Sequence, residues 1–117
     1  MSDIKVQTIR FVTTVGLSQE VLQNYICIHD EESGLFFVNI GQYGIEGFNK
    51  STFINLINLA EAKKAKKIYF IVSRDNKDHK EYRNTFKLID LKRVSSKEKE
   101  AIFKRDNDFL VYSREFS

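Results

Sequence analysis

Side chains able to do chemistry are few in this sequence, and none of them forms a recognisable catalytic or metal-binding pattern. The chain contains one cysteine, Cys27, and two histidines, His29 and His79. Cys27 stands among apolar residues, which favours a buried, unreactive thiol over a nucleophile. Neither histidine has a cysteine, histidine or carboxylate partner at the spacing of metal ligands. The residue types therefore predict no catalytic residues, no cofactor and no metal site.

Carboxylates occur in two clusters that could suggest acid–base chemistry. Asp30, Glu31 and Glu32 are adjacent, and Asp75 and Asp78 precede a helical pattern. We interpret the first cluster as part of a solvated hairpin turn. The second is predicted to supply charges and caps at a helix start.

Gly41, Gly44 and Gly47 recur at every third residue before a helical pattern, a spacing that could suggest a loop cradling a phosphate. They match neither the dinucleotide-binding fingerprint nor the P-loop, so turn glycines are the simpler interpretation. An acetyltransferase is the enzyme alternative, because such enzymes share this order of strands and helices. Their pyrophosphate loop, Gln/Arg-x-x-Gly-x-Gly/Ala, is absent from the sequence.

Charge is divided unevenly along the chain. Residues 1–62 hold three Lys/Arg and seven Asp/Glu, whereas residues 63–117 hold sixteen and nine. Such a polarised field steers partners. A lysine cluster at residues 63–67 could bind nucleic acid, but no aromatic residues alternate with these lysines as they do in proteins that bind single strands. A basic nucleic-acid-binding module remains an alternative, and a solvated helix end is the simpler interpretation.

The stretch from Phe48 to Val72 is predicted to organise the fold. Apolar residues with helical spacing draw one stripe and predict a helix: Phe53, Leu56, Ile57 and Ala60. Its start is predicted at Asn49, Ser51 or Thr52, whose short side chains can cap free N–H groups. The unbroken apolar run 68–72 predicts a central strand buried on both faces.

The remaining elements follow from alternation and turn residues. We predict strands at 4–15, 21–30, 35–40 and 88–94, a second helix over about 76–87, one or two helical turns at 97–104, and a final edge strand at 109–116. The second helix should bury His79, Tyr82 and Phe86, and Ser95 with Glu98 fits a capping box. The segment from 68 to 94 is predicted to be a right-handed crossover. Residues 1–117 are therefore predicted to form a single domain with a mixed sheet and helices.

Composition bounds the class of protein. Hydrophobic residues at 42% and charged residues at 30% are typical of a globular chain. No apolar run approaches the roughly 20 residues that span a bilayer. A single cysteine and the lack of a signal-like segment indicate a reducing compartment. We expect a cytoplasmic protein, with the nucleus as a second location.

One ordered set of residues runs through Gly34–Val38, Ile40, Glu46-Gly47, Lys50, Phe53, Leu56-Ile57, Leu59–Glu61, Arg74, Arg83–Phe86, Val94, Asp108 and Tyr112. This set resembles the ornithine decarboxylase antizymes. The resemblance covers about residues 34–116, and before residue 34 only the strand pattern agrees. It implies an α+β fold with a mixed, mostly antiparallel sheet and two main helices, distantly like the acyl-CoA N-acyltransferases.

The same resemblance implies a function. Antizymes are not enzymes: they bind the ornithine decarboxylase monomer, block its homodimer and direct it to the proteasome without ubiquitin. The family acts in polyamine homeostasis, and its synthesis depends on ribosomal frameshifting. The resemblance implies that this chain corresponds to the family's binding domain only. From the residues themselves, we expect no nucleic acid and no membrane among its partners.

The partner-binding residues are likewise implied by the resemblance. In the family, the first helix with its approach, and a valine after the second helix, face the decarboxylase. The matching positions are Lys50, Glu61 and Val94. Asn58 and Ala62 stand where family helices tend to carry acids, so we expect a weaker or differently placed charge contact. The family's proline-rich approach loop is replaced here by residues 41–47, which contain no proline.

Overall fold

A computed structural model describes residues 4–15, 19–42, 44–45, 50–103 and 108–116, with side chains described at 27–42, 44–45, 50–102 and 108–116. Its elements are β1 (Ile4–Val15), β2 (Gln19–Asp30), β3 (Leu35–Gly41), α1 (Lys50–Ala62), β4 (Lys67–Ser73), α2 (His79–Leu88), β5 (Lys92–Arg93), α3 (Ser96–Phe103) and β6 (Phe109–Glu115). These strands form a six-stranded sheet with the order β1-β2-β3-β4-β6-β5. The predicted α+β class is confirmed.

The sheet is mixed and mostly antiparallel, as predicted. Among the described strands, β3 and β4 form the one parallel pair, and every other neighbouring pair is antiparallel. A tight turn joins β2 to β3, where the Gly34 N–H donates to the Asp30 carbonyl over 2.9 Å. The Gly34 carbonyl in turn accepts the Lys66 N–H at 2.7 Å. This turn therefore positions the start of β4 as well as the β2–β3 hairpin.

β4 is the central strand that its apolar run predicts. Ile68, Phe70 and Val72 are fully buried on the face that packs against α1 and α2. Tyr69 and Ile71 alternate with them and belong to a second apolar cluster on the opposite face. Burial on both faces explains why this strand is apolar without interruption.

The predicted apolar stripe of α1 is confirmed, because all its members are buried. Phe53 is at the centre, with its ring centroid 5.3 Å from that of Phe70 and 5.1 Å from that of Phe86 on α2, both at steep edge-to-face angles. The predicted cap at Ser51 or Thr52 is wrong. Helix α1 begins at Lys50, so both residues lie within its first turn, and Thr52 is buried against the core. Asn49 lies outside the described residues.

The C-terminal third differs most from expectation. Residues 88–94 do not form one strand: Leu88 ends α2, Asp90 turns the chain at a φ of 60°, and β5 is limited to Lys92 and Arg93. The last strand, β6, is not at the edge but lies between β4 and β5. Both residues of β5 are exposed, whereas consecutive residues of β6 from Leu110 to Ser113 are buried, so the cationic strand takes the edge.

Two further predictions need adjustment. β4 and β5 are parallel, since both are antiparallel to β6, but they are not neighbours as a simple crossover would make them. α2 covers 79–88 rather than about 76–87, with Tyr82 and Phe86 buried and His79 half-buried.

α3 lies against the opposite face of the sheet, where Ile102 packs beside Tyr69 and Val111. Its predicted cap is confirmed at Ser95, whose Oγ accepts the Glu98 N–H at 3.2 Å.

Candidate functional site

The outward side of α1 is the strongest candidate for a binding site. Seven exposed residues form this outer face of α1: Lys50, Ser51, Ile54, Asn55, Asn58, Glu61 and Ala62. They occupy the arc opposite the buried stripe, because a helix turns once every 3.6 residues. Four of the five residues expected to bind a partner therefore share this face, namely Lys50, Asn58, Glu61 and Ala62.

Val94, the fifth expected residue, is not part of that face. It is only 9% exposed and packs with Tyr69 and Val111 in the cluster beneath α3. Its N–H donates to the Val111 carbonyl over 2.9 Å, which fixes it beside β6. Since Phe53 and the other buried residues of α1 belong to the cluster on the opposite side of the sheet, the sheet separates Val94 from α1.

Ile54 was missed by sequence reasoning. Its side chain is 39% exposed, and it lies on the outer face between Lys50 and Asn58. The available signal was its position: Ile54 falls outside the apolar stripe, among residues that are otherwise polar. An exposed isoleucine framed by amides and charges is the kind of apolar anchor that interfaces use.

The lysines that follow α1 do not form one exposed patch. The helix ends in a tight turn in which Lys64 has a φ of 63° and its N–H donates to the Glu61 carbonyl at 2.9 Å. Lys64 and Lys66 are exposed, but Lys67 is half-buried and its Nζ lies 2.8 Å from Glu98 on α3. Lys64 and Lys66 therefore face solvent, whereas Lys67 forms an ion pair within the protein.

The Lys67–Glu98 pair extends to Tyr69 and holds α3 against the sheet. The Tyr69 hydroxyl donates to Glu98 Oε2 over 3.0 Å. Burial raises the pKa of Tyr69 to about 12, with the hydrogen bond to Glu98 adding to it. Burial by itself lowers the pKa of Lys67, but the hydrogen bond to Glu98 raises it above its usual value. The hydrogen bond from Lys67 holds the pKa of Glu98 below its usual range, so both partners favour the ionised pair.

The other chemical candidates occupy structural positions. Cys27 is 1% exposed, and burial raises the pKa of its thiol to about 12, so the thiolate is strongly disfavoured at neutral pH. Its predicted burial is confirmed. Within the part of the chain that the structure describes, no three His, Cys, Asp or Glu side chains converge as metal ligands would.

Asp75 and Asp78 do not cap α2, contrary to expectation. Asp78 precedes the helix, but its Oδ2 accepts the Ile45 N–H at 2.9 Å instead of a helix N–H. Asp75 accepts a hydrogen bond from the Gln42 side-chain amide. Both carboxylates therefore tie the loop after β3 to the segment before α2.

The glycine loop is part of this connection. Gly41 has a φ of 57°, and its carbonyl accepts the Asn76 side-chain amide at 2.9 Å. A Cβ on Gly44 would come within 3.0 Å of Asp78 Oδ2. Two of the three glycines thus serve chain direction and close packing, and Gly47 lies outside the described residues.

The outer face of α1 offers side-chain amides and an apolar side chain between a cation and an anion, which are the groups of a polar protein-binding surface. No helix among the described residues has the length and hydropathy that crossing a bilayer requires. The chain matches no protein-family model, and no curated protein matches it either.

Proposed function

We propose that this chain is a protein inhibitor that binds the ornithine decarboxylase monomer, prevents its homodimerisation and directs it to proteasomal degradation. The proposal rests on the antizyme-like residues spread over positions 34–116. The single observation that carries it is the outer face of α1, where Lys50, Asn58, Glu61 and Ala62 lie together and are exposed. Their clustering supports a shared contact surface.

Ile54 adds an apolar centre to the proposed contact. Completing the burial of a partly exposed isoleucine contributes on the order of 1 kcal/mol, since full burial of such a side chain contributes about 1.5–3 kcal/mol. Asn55 and Asn58 flank it with amides that can donate and accept hydrogen bonds. An apolar centre within a polar rim is the arrangement of interfaces whose affinity comes from few residues.

Lys50 and Glu61 give the contact a direction. They lie near opposite ends of α1, and a helix rises 1.5 Å per residue, so their backbones are separated by roughly 16 Å along the axis. A partner carrying the complementary charges would bind in one orientation and not in the reverse. Glu61 is the only acid on this helix, so no other side chain of α1 can supply the negative charge when Glu61 is mutated.

Val94 has a supporting role in this proposal. Its side chain is buried under α3, so truncating it would change the packing of the α3 layer rather than remove a direct contact at α1. Val94→Ala should therefore lower stability and leave inhibition by the folded protein nearly unchanged.

Inhibition of ornithine decarboxylase tests the proposal. We expect Glu61→Lys to weaken inhibition by roughly 10–1000-fold, because it replaces an attraction with a repulsion. Ile54→Ala should weaken it by about 10-fold through loss of apolar contact. Complex formation would be measured by gel filtration alongside decarboxylase activity, with circular dichroism confirming that each variant is folded.

Lys97→Glu is the matched control, because Lys97 is exposed on α3 at the opposite face of the sheet. It should inhibit like the parent. Should Lys97→Glu and Glu61→Lys weaken inhibition equally, the outer face of α1 is not the contact. A parent chain that leaves the decarboxylase dimeric, but melts several degrees higher with acetyl-CoA, would instead favour the acetyltransferase alternative.

A further inference from the structure

A second cluster of chemically capable side chains lies where α2 crosses β6. His79 Nε2 lies 3.0 Å from the hydroxyl of Tyr112, which belongs to β6. Phe86 follows His79 by about two helical turns, and its ring centroid is 4.8 Å from that of Tyr112. α2 therefore runs directly over Tyr112, with the imidazole at one end of the contact and the phenyl ring at the other.

Two arginines flank this histidine–tyrosine pair. Arg83 follows His79 by one helical turn, so both project from the same side of α2. Arg93 is the cross-strand partner of Tyr112, and directly opposed residues project to the same face of a sheet. Both guanidiniums lower the pKa of His79, and both oppose the burial that raises the pKa of Tyr112. We call these four residues the α2–β5 cluster: His79, Arg83, Arg93 and Tyr112.

The positive charge of this cluster is not neutralised by its described neighbours. Arg83 and Arg93 are exposed, and neither makes a hydrogen bond or an ion pair with any side chain that the structure describes. By contrast, Arg114 on β6 donates to the Ile89 carbonyl at 3.3 Å. The cluster thus holds two guanidiniums with unused donors beside a buried phenol.

Nearby carboxylates are directed elsewhere. Asp78 accepts the Ile45 N–H, and Asp75 accepts the Gln42 amide. Glu81 lies two residues after His79, so it projects from a different side of α2. Asp90 precedes Arg93 by three residues and forms no ion pair with it within the described part of the chain.

The excess of positive charge affects the pKa of the His79 imidazole. Burial lowers the pKa of His79, and Arg83, Arg93 and Arg74 lower it further. A negatively charged ligand between the guanidiniums would reverse the electrostatic part of this effect. The His79 imidazole can therefore report anion binding at the cluster in a spectroscopic titration.

We propose that the α2–β5 cluster binds a phosphomonoester dianion, with the guanidiniums of Arg83 and Arg93 as the principal donors and His79 with Tyr112 beside them. Arginine forks match the geometry of phosphate oxygens, and two of them balance a dianion. A nucleic-acid backbone would need a longer track of cations, so a single phosphate group is the better match. This site does not depend on decarboxylase binding.

The test is a titration of the folded chain at constant ionic strength and pH 7.5, with inorganic phosphate in one arm and a phosphoserine peptide in the other. The His79 imidazole resonances in NMR spectra should move with saturable binding, and the pKa of His79 should rise. Arg83→Gln and Arg93→Gln should each weaken binding by about 10-fold or more, as expected for loss of a charge-assisted fork. Lys80→Gln removes the same charge from an exposed site of α2 and should weaken it by less than about 2-fold.

The two arms identify the source of the phosphate group. Equal affinities indicate a free phosphate compound, and tighter binding of the peptide indicates a phosphorylated polypeptide; both support the site. The proposal is overturned if Lys80→Gln weakens binding as much as Arg93→Gln, or if the titration does not saturate while thermal melting shows intact folding. It is also overturned if single-stranded DNA, counted per phosphate group, displaces the peptide at a lower concentration than the peptide itself needs for binding. The site would then be a nucleic-acid surface.

Discussion

At the scale of single residues, Gly34 shows how one backbone position can couple two distant segments. It adopts a φ of 76°, which residues with a Cβ rarely do, and its carbonyl accepts the Lys66 N–H. A Cβ at this position would lie 2.8 Å from Lys66 Cγ and 3.2 Å from Lys66 Cβ. The substitution therefore meets both backbone strain and a close contact near the main chain of the neighbouring segment.

We expect Gly34→Ala to lower the free energy of unfolding by about 2–4 kcal/mol. The left-handed conformation accounts for roughly 1–2 kcal/mol, and displacement of the Lys66 side chain accounts for the remainder. Urea unfolding followed by circular dichroism would measure the difference.

Gly41→Ala is the matched comparison for this prediction. Gly41 also has a positive φ, at 57°, but a Cβ there meets only Asn39 Oδ1 at an ordinary 3.6 Å. It should show the conformational part alone, roughly 1–2 kcal/mol. Equal losses for the two variants would mean that contact with Lys66 is relieved without energetic consequence.

At the scale of elements, α3 depends on contacts rather than on its own helical tendency. It has only eight residues, and helices this short are marginal in isolation. Ser95 caps its start, Glu98 joins it to Lys67 and Tyr69, and Ile102 packs on the sheet. Glu98 is thus the polar connection between α3 and β4.

Glu98→Ala should loosen α3 selectively. Loss of an ion pair and a hydrogen bond at a partly exposed site lowers stability by about 1 kcal/mol. Amide hydrogen exchange within 96–103 should accelerate, while exchange in α1 changes little. Glu100→Ala is the control, since Glu100 is exposed on the same helix and makes no hydrogen bond or ion pair with a described side chain. Comparable acceleration in both variants would show that the network does not hold α3.

At the scale of the whole molecule, one buried thiol and two buried phenols predict that the free energy of unfolding falls at alkaline pH. Burial raises the pKa of Cys27 and of Tyr69 to about 12, and raises that of Tyr112. A raised pKa means that the folded state holds its proton more tightly than the unfolded chain. Stability from these groups is therefore complete below the unfolded pKa values and is lost as pH rises through the folded ones.

We expect the free energy of unfolding to fall between pH 9 and pH 12, with Cys27 responsible for the earliest part. Two pH units above its ordinary pKa of 9.0, this thiol contributes a loss of about 2–3 kcal/mol. Urea unfolding at pH 7, 9, 10 and 11 would measure the slope for the parent and for Cys27→Val. The variant should lose less stability between pH 9 and 11. Parallel slopes would contradict the assigned burial of the thiol.

The sequence by itself determined the elements whose pattern is local. The apolar stripe of α1 and the unbroken apolar run of β4 were predictable, because burial on one face or on two imposes a period that can be counted along the chain. The α+β class and the buried position of Cys27 follow from the same alternation. So does the clustering of Lys50, Asn58, Glu61 and Ala62, since helical spacing alone brings them together.

Only the tertiary structure decided how these elements share the sheet. Strand order depends on pairing between segments far apart in sequence, so the cationic β5 could take the edge and β6 the interior without any local signal of that choice. Alternation shows that neighbouring residues face opposite sides, but not which helix covers each side. Val94 therefore lies under α3, away from α1, and Arg93 lies opposite Tyr112 on β6, because pairing and packing between distant segments set those positions.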